Sequence, residues 1–211
     1  IKKMGLESEF SHEFFRQSVI DIIKANELRE DLICRQTVFL DGDGSWSATG
    51  PVEMFIAPIA KGRYFEKEQG LHVCVSSWER IHEKSLSPKI KMGANYMNSR
   101  MGQLEAVRNG YDTTIFLNRK GTVSEGPGSC VFIANKDVLI TPPLTASILD
   151  SITRDTIIQI TREYLNIEVI ERHINKDELY KTEEMFMCGT AVEVVPVFSV
   201  DRVQVGEGIK G

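Results

Sequence analysis

The sequence predicts an α+β fold. Three observations carry the prediction. Segments of helical period alternate with short strand-like runs, the runs of the second half pair as hairpins, and no repeat or low-complexity tract interrupts them. Within the first 25 residues, which read as helix, Ser11 is a candidate N-cap and Glu13 falls in the favourable first turn. Phe14, Phe15, Val19, Ile22 and Ile23 recur there at helical spacing. Strand signals follow at Ile33–Leu40 and Val52–Ile59, separated by the turn chemistry of Asp41-Gly42-Asp43-Gly44. The polar stretch Lys61–Gln69 reads as a linker.

Leu71–Ser77 and Thr114–Leu117 read as strands around a helix from about 98 to 109, with Met97, Met101, Leu104 and Val107 on one side. Gly110 is a suitable residue just past its end. Thr114–Leu117 with Thr122-Val123 reads as one hairpin across Arg119-Lys120-Gly121. Val131–Ala134 with Val138–Thr141 reads as another, and Pro142-Pro143 ends it. A helix from about 154 to 165 is expected to turn Ile157, Ile158, Thr161 and Leu165 inward. A strand at Glu168–Glu171, a helix near Lys176–Tyr180 and strands at Glu184–Met187 and Val192–Val200 complete the pattern.

Composition narrows the function classes. The chain has 211 residues, 42% hydrophobic and 26% charged, with a net charge of −5. That charge offers nothing to attract nucleic acid or an anionic membrane. No apolar run approaches the roughly 20 residues of a membrane span, and the opening residues lack a signal-peptide core. Cys34, Cys74, Cys130 and Cys188 form no Cys-x-x-Cys pair and read as buried, reduced thiols in a cytoplasmic protein. His12, His72, His82 and His173 are scattered without ligand spacing, so no metal site is expected. Trp46 and Trp78 read as packing residues.

The chemistry-bearing residues cluster around Lys91. A lysine, a tyrosine (Tyr96), an acid (Glu125) and hydroxyl-bearing turns at Ser151-Ile152-Thr153 and Gly189-Thr190-Ala191 match the needs of pyridoxal phosphate (PLP). That cofactor requires an amine for its aldehyde, a carboxylate facing its ring nitrogen and donors for a phosphate dianion. Ser151-Ile152-Thr153 lies just before a helical segment, where free N–H groups and the helix dipole favour an anion. The competing reading of the same residues is ordinary caps, turns and a surface lysine. Arg154 and Glu193 fit equally as ion-pair members or solvated charges.

Ordered blocks at Lys91–Ser99, Glu105–Asp112, Val123–Gly128, Ile140–Thr145, Ile148–Asp155 and Met187–Val197, together with Val75–Arg80, resemble the class IV aminotransferases, most of all the branched-chain enzymes. The resemblance implies a fold-type IV PLP enzyme with a D-amino acid aminotransferase-like architecture. It implies the remainder of a small α/β N-terminal domain at 1–60, a linker at 61–67 and a larger mixed α+β cofactor-binding domain at 68–211, without the family's C-terminal helix.

The implied activity is transamination of branched-chain L-amino acids with 2-oxoglutarate, as in branched-chain amino acid biosynthesis, by a cytoplasmic homodimer or higher assembly. Lys91 becomes the Schiff-base lysine and proton shuttle. Glu125 faces the pyridine nitrogen, Tyr96 the phenolic oxygen, and Leu149 the ring face. Ile152, Thr153 and Thr190 hold the phosphate, and Arg80 lies near the cofactor. Thr190 and Ala191 meet the substrate α-carboxylate, and Arg35 helps accept a second carboxylate. Alternatives are a D-amino acid or amine aminotransferase, an aminodeoxychorismate lyase, or a non-catalytic PLP-binding homologue.

The chain departs from the family pattern at several places. Gly128-Ser129-Cys130 stands where Gly-Glu-Asn is frequent, Ser151 where glycine is usual, and Pro58–Lys61 where some relatives carry aromatics. The family has a further N-terminal segment with a phosphate-binding arginine, so the sequence is expected to be part of a longer protein.

Overall fold

The computed structural model describes residues 1–42, 44–62, 65 and 70–208. The chain divides into two compact units, Ile1–Arg63 and Tyr64–Gly211. Of the linker expected at 61–67, only Lys61, Gly62 and Phe65 are among the described residues.

The first unit is one helix and one hairpin. Helix α1 (His12–Ala25) starts where the Ser11 hydroxyl accepts the Phe14 N–H at 3.1 Å. That bond satisfies one of the donors a helix N-terminus leaves open. The helix is shorter than the reading of the first 25 residues: Lys2–Met4 is a separate 3-10 turn ended by Gly5 in the left-handed region. Strands β1 (Leu32–Leu40) and β2 (Val52–Ala60) pair antiparallel, Leu32 opposite Ala60 and Leu40 opposite Val52. The Gln36 amide donates to the Phe15 carbonyl at 2.8 Å and ties helix to hairpin.

The second unit is built on an eight-stranded mixed sheet. Its strands are β3 (Leu71–Glu79), β4 (Thr113–Leu117), β5 (Cys130–Asn135), β6 (Val138–Thr141), β7 (Glu168–Glu171), β8 (Glu184–Gly189), β9 (Glu193–Val200) and β10 (Val203–Gln204). The order is β4-β3-β9-β8-β5-β6-β7, with β10 on β9. The β5–β6 and β8–β9 pairs are the antiparallel hairpins the sequence indicates. Three pairs are parallel: β3–β4, β3–β9 and β6–β7. Two of them are crossovers, through α2 (Asn95–Arg108) and through α3 (Ile152–Glu163), because parallel neighbours need a long connection.

The main core is β-branched and aliphatic: Val73, Ile115, Val131, Ile133, Met187 and Val195 are almost wholly buried. Phe132 stacks on Phe186 at 4.9 Å in a second cluster beneath α3.

Helix α2 buries a face the apolar spacing does not mark. Its buried residues are Asn95, Ser99, Gly102 and Ala106, whereas Met97 and Val107 are exposed. A Cβ at Gly102 would collide with the Phe116 ring, so small residues bring the helix onto the sheet. The helix also begins at Asn95, earlier than its apolar spacing marks. In α3, Ile158 and Thr161 are buried, but the helix ends at Glu163 and Leu165 is exposed. Thr122-Val123 is not a strand. It makes only isolated bridges, Val123 to Leu117 and Thr122 to Asn175, so the hairpin closed by the Asn118 turn at 119–121 pairs antiparallel but does not extend into a strand. Lys176–Tyr180 is a 3-10 helix. Trp46 is fully exposed and Trp78 partly so, which corrects their reading as packing residues. Cys34 is half-buried, whereas the other three cysteines are buried.

Candidate active site

Lys91 lies in the loop between β3 and α2. The buried Asn95 side chain holds that loop by donating to the Ser87 carbonyl at 2.9 Å and the Ile90 carbonyl at 2.8 Å. The Met92 N–H closes on the Ile90 carbonyl at 2.8 Å. Lys91 is thereby bracketed between two fixed backbone positions. Tyr96 follows in the first turn of α2 and is partly exposed.

Glu125 sits after the turn that follows β4, in register because the Phe116 N–H donates to its carbonyl at 2.9 Å. The next turn closes through Gly126 N–H to the Ser129 carbonyl at 2.8 Å. Any Cβ at Gly126 would strike Met187. The Glu125 carboxylate is buried and fully engaged. Arg80 donates to Oε1 from Nε at 3.0 Å and from Nη2 at 2.8 Å, and the Leu149 N–H donates to Oε2 at 3.1 Å. Arg80 is itself held by Asn98 at 3.1 Å and Ser99 at 3.2 Å, with its guanidinium 5.6 Å from the Phe116 ring centroid. Burial raises the Glu125 carboxyl above its ordinary value, and the Arg80 charge and the Leu149 and Arg80 hydrogen bonds oppose that rise.

These groups meet on a pocket of about 260 Å³. Lys91 and Tyr96 line one part of it, Arg80 and Glu125 another, and Leu149, Ser151, Ile152, Gly189 and Thr190 the rest. Ser151 caps α3, its hydroxyl accepting the Arg154 N–H at 3.3 Å. The α3 N-terminus therefore faces the same region, with the donors and positive end that suit an anion. Thr153 is one residue further into that first turn and does not line the pocket; Ala191 is exposed one residue beyond Thr190. Arg35 is an exposed β1 residue of the first unit. Arg154 is an ion-pair member, 2.8 Å from Glu171.

Sequence reasoning missed four contributors: Asn95, which fixes the lysine loop; Ser99, which holds Arg80; and Cys130 and Cys188, which line the pocket. A polar residue four positions after the lysine, opening a helix, was the available sign of the first. Among the described residues, the Asn95 Oδ1 is a buried side-chain acceptor without a partner. No metal-ligand cluster and no helix long and apolar enough to cross a membrane occur among them.

An amine, a deeply set carboxylate paired with arginine and a helix N-terminus meet around one pocket on this mixed sheet. The model of the family described as amino-transferase class IV matches residues 1–200, and the chain belongs to that family. A branched-chain-amino-acid aminotransferase of Salmonella typhimurium is 41% identical over 195 residues, covering 89% of this chain and 62% of the relative. The chain thus spans less than two thirds of the length of that relative.

Among solved structures, the branched-chain amino acid aminotransferase of Thermobaculum terrenum in its PLP form superposes with a TM-score of 0.91 at 43% identity, over 98% of this chain and 68% of that one. A second branched-chain amino acid aminotransferase, complexed with N-(5'-phosphopyridoxyl)-L-glutamate, has a TM-score of 0.91 at 30% identity, over 100% of this chain and 69% of that one.

Proposed function

We propose that the pocket binds PLP and that the protein transaminates branched-chain L-amino acids with 2-oxoglutarate. The observation that carries the proposal is the placement of Lys91, Glu125 and the α3 N-terminus around one pocket. Those groups suit the aldehyde, ring nitrogen and phosphate of PLP, and the unpartnered Asn95 Oδ1 suits an occupant bearing a donor. When bound, PLP supplies an aldehyde that condenses with amines and a ring that accepts the electron pair left by a departing α-proton.

The chain's own residues do the rest. Glu125 is the carboxylate for the ring nitrogen, and Arg80 with the Leu149 N–H fixes its orientation. Preorganised charge of this kind needs no rearrangement as the reaction proceeds. Lys91 Nζ, which lines the pocket, would hold the cofactor and is the amine placed to take the substrate α-proton and return a proton as general base and acid. Tyr96 would meet the phenolic oxygen and Leu149 the ring, since both line the pocket. Ile152 and Thr190, which line the pocket, would hold the phosphate, with Thr153 beside them in the first turn of α3. Thr190 and Ala191 would receive the substrate carboxylate.

The proposal includes the remainder of a small domain at 1–60 and a cofactor domain at 68–211, assembly as a homodimer or higher oligomer, and a cytoplasmic location. The free state of all four cysteines supports the location. The similarity to relatives named for branched-chain substrates, and to an enzyme captured with a phosphopyridoxyl-glutamate, supports the substrate pair. The test is product formation. Protein supplied with PLP, L-leucine and 2-oxoglutarate is expected to yield L-glutamate and the leucine 2-oxo acid, and Lys91→Ala to yield neither. Equal turnover by Lys91→Ala would refute the central role of this lysine.

A further inference from the structure

Two of the four cysteines face each other across the sheet. Cys130, the first residue of β5, is the register partner of Cys188 near the end of β8. Directly opposed antiparallel residues place their side chains on the same face, with Cα atoms about 4.5–5.5 Å apart. That separation lies inside the range of about 4.4–6.8 Å that a disulfide spans. The strands are also close at this end: a Cβ on Gly189 would lie 3.0 Å from the Gly128 carbonyl oxygen. Both cysteines are buried from bulk solvent yet both line the pocket, so the pocket is their route to a small reagent. The function proposed above uses neither.

We propose that Cys130 and Cys188 form a dithiol oxidation site, which a peroxide entering the pocket converts to a disulfide joining β5 to β8. Cys130 is the attacking thiol. The neighbouring Cys188 and Ser151 side chains and the Arg154 charge favour its thiolate against burial and Glu125, with a net lowering of its ordinary value. The Cys130 thiolate attacks one peroxide oxygen and breaks the O–O bond. The expelled hydroxide, or the alkoxide of an organic peroxide, takes up the proton that the Cys130 thiol gave up and leaves as water or alcohol; the other product is a Cys130 sulfenic acid. Cys188 sulfur then attacks Cys130 sulfur, forming the S–S bond and expelling hydroxide, which leaves as water with the Cys188 proton. Two thiols are oxidised and one peroxide is reduced.

The joined strands lead into the Gly126–Ser129 turn and the Gly189-Thr190 turn, both on the pocket wall. The crosslink therefore forms within the pocket itself. Shielding by an occupant rests on the proposed function; formation of the crosslink does not.

The test is peptide mapping after hydrogen peroxide treatment of the purified full-length protein, with alkylation under denaturing conditions. The expected result is a linked Cys130–Cys188 peptide pair, loss of both of these thiols to alkylation and their recovery with dithiothreitol. Cys188→Ser is expected to retain a sulfenic acid at Cys130, captured by dimedone. Wild-type protein in which both thiols remain alkylatable after peroxide has oxidised Cys34 would overturn the proposal, as would a crosslink to Cys34 or Cys74 instead. PLP at about 100 times its Kd is expected to slow crosslinking about 100-fold. A PLP absorbance band without protection would overturn the pocket as the route while leaving the cofactor reading intact. Failure of the band would overturn that reading and leave the crosslink result standing.

Discussion

Arg80 Nη2 stands 2.8 Å from Glu125 Oε1, with both side chains almost wholly withdrawn from solvent. The pair joins the end of β3 to the turn after β4, and Asn98 and Ser99 extend it to α2. Burial disfavours the Glu125 charge, and the guanidinium opposes that penalty. Arg80→Met is therefore expected to strand a buried acid and cost about 3–5 kcal/mol, whereas the double variant Arg80→Met/Glu125→Leu costs less than the single one. Urea unfolding of both variants measures the difference. Equal stabilities of wild type and Arg80→Met would contradict the assignment.

Asn95 gives a second prediction. Its amide holds the Ser87 and Ile90 carbonyls on the approach to Lys91. Asn95→Ala is expected to lower kcat/KM about 100-fold through misplacement of the lysine. The stability loss should be only about 1–3 kcal/mol for the two hydrogen bonds. Steady-state kinetics beside thermal unfolding separates the two effects. A loss of stability with kcat/KM unchanged would assign Asn95 to the scaffold alone.

Packing of α2 gives a third. A methyl group at Gly102 meets the ring of the fully buried Phe116. Gly102→Ala gains helix propensity of about 1 kcal/mol but overpacks the interface at a cost of about 1–3 kcal/mol. A net loss of stability is expected, and relief by adding Phe116→Leu. A stabilised Gly102→Ala protein would show that the helix can move away from the sheet.

The acid limb of stability supplies a fourth. Arg172 donates to Glu178 Oε2 at 2.6 Å and to Oε1 at 3.0 Å, and the Asn175 N–H donates to Oε1 at 2.8 Å. The Arg172 hydrogen bonds hold the Glu178 carboxyl below its ordinary 4.5, against the opposing effect of burial. A depressed folded value means the unfolded chain binds the proton first. The stabilisation is thus full above the ordinary carboxylate value and is lost as pH falls through the lowered one. Glu178→Gln is expected to be less stable than wild type near about pH 7 and to converge with it towards about pH 3. Urea midpoints across that range check the convergence. A pH-independent gap would contradict it.

Much of the second unit was legible because its strands are short β-branched runs bounded by glycine, proline and asparagine. Val131–Ala134 and Val138–Thr141 illustrate this, and both are strands in the structure. The parallel pairings were not legible, since β3 meets β9 across more than half the chain and nothing local encodes that contact. Helix α2 misled because Met97 and Val107 advertise an apolar face, while the contact is made by Gly102 and Ala106. Thr122-Val123 carries strand-forming residues and Val123 returns antiparallel on Leu117 after the Asn118 turn, but the pairing goes no further than isolated bridges.

For the candidate site, Lys91, Tyr96 and Glu125 stood out through their glycine-bearing surroundings. The resemblance placed Arg80 near the cofactor without its bond to Glu125. The opposition of Cys130 and Cys188 depends on sheet register, which the sequence does not display.

The most direct test of the central claim is the absorbance spectrum of the purified full-length protein with PLP, before and after L-leucine and, separately, D-alanine. The account predicts a band near the visible edge that falls with L-leucine, returns with 2-oxoglutarate and is absent from Lys91→Ala. Response to D-alanine alone would contradict the branched-chain L-amino acid assignment, and no band at all would contradict the role of Lys91.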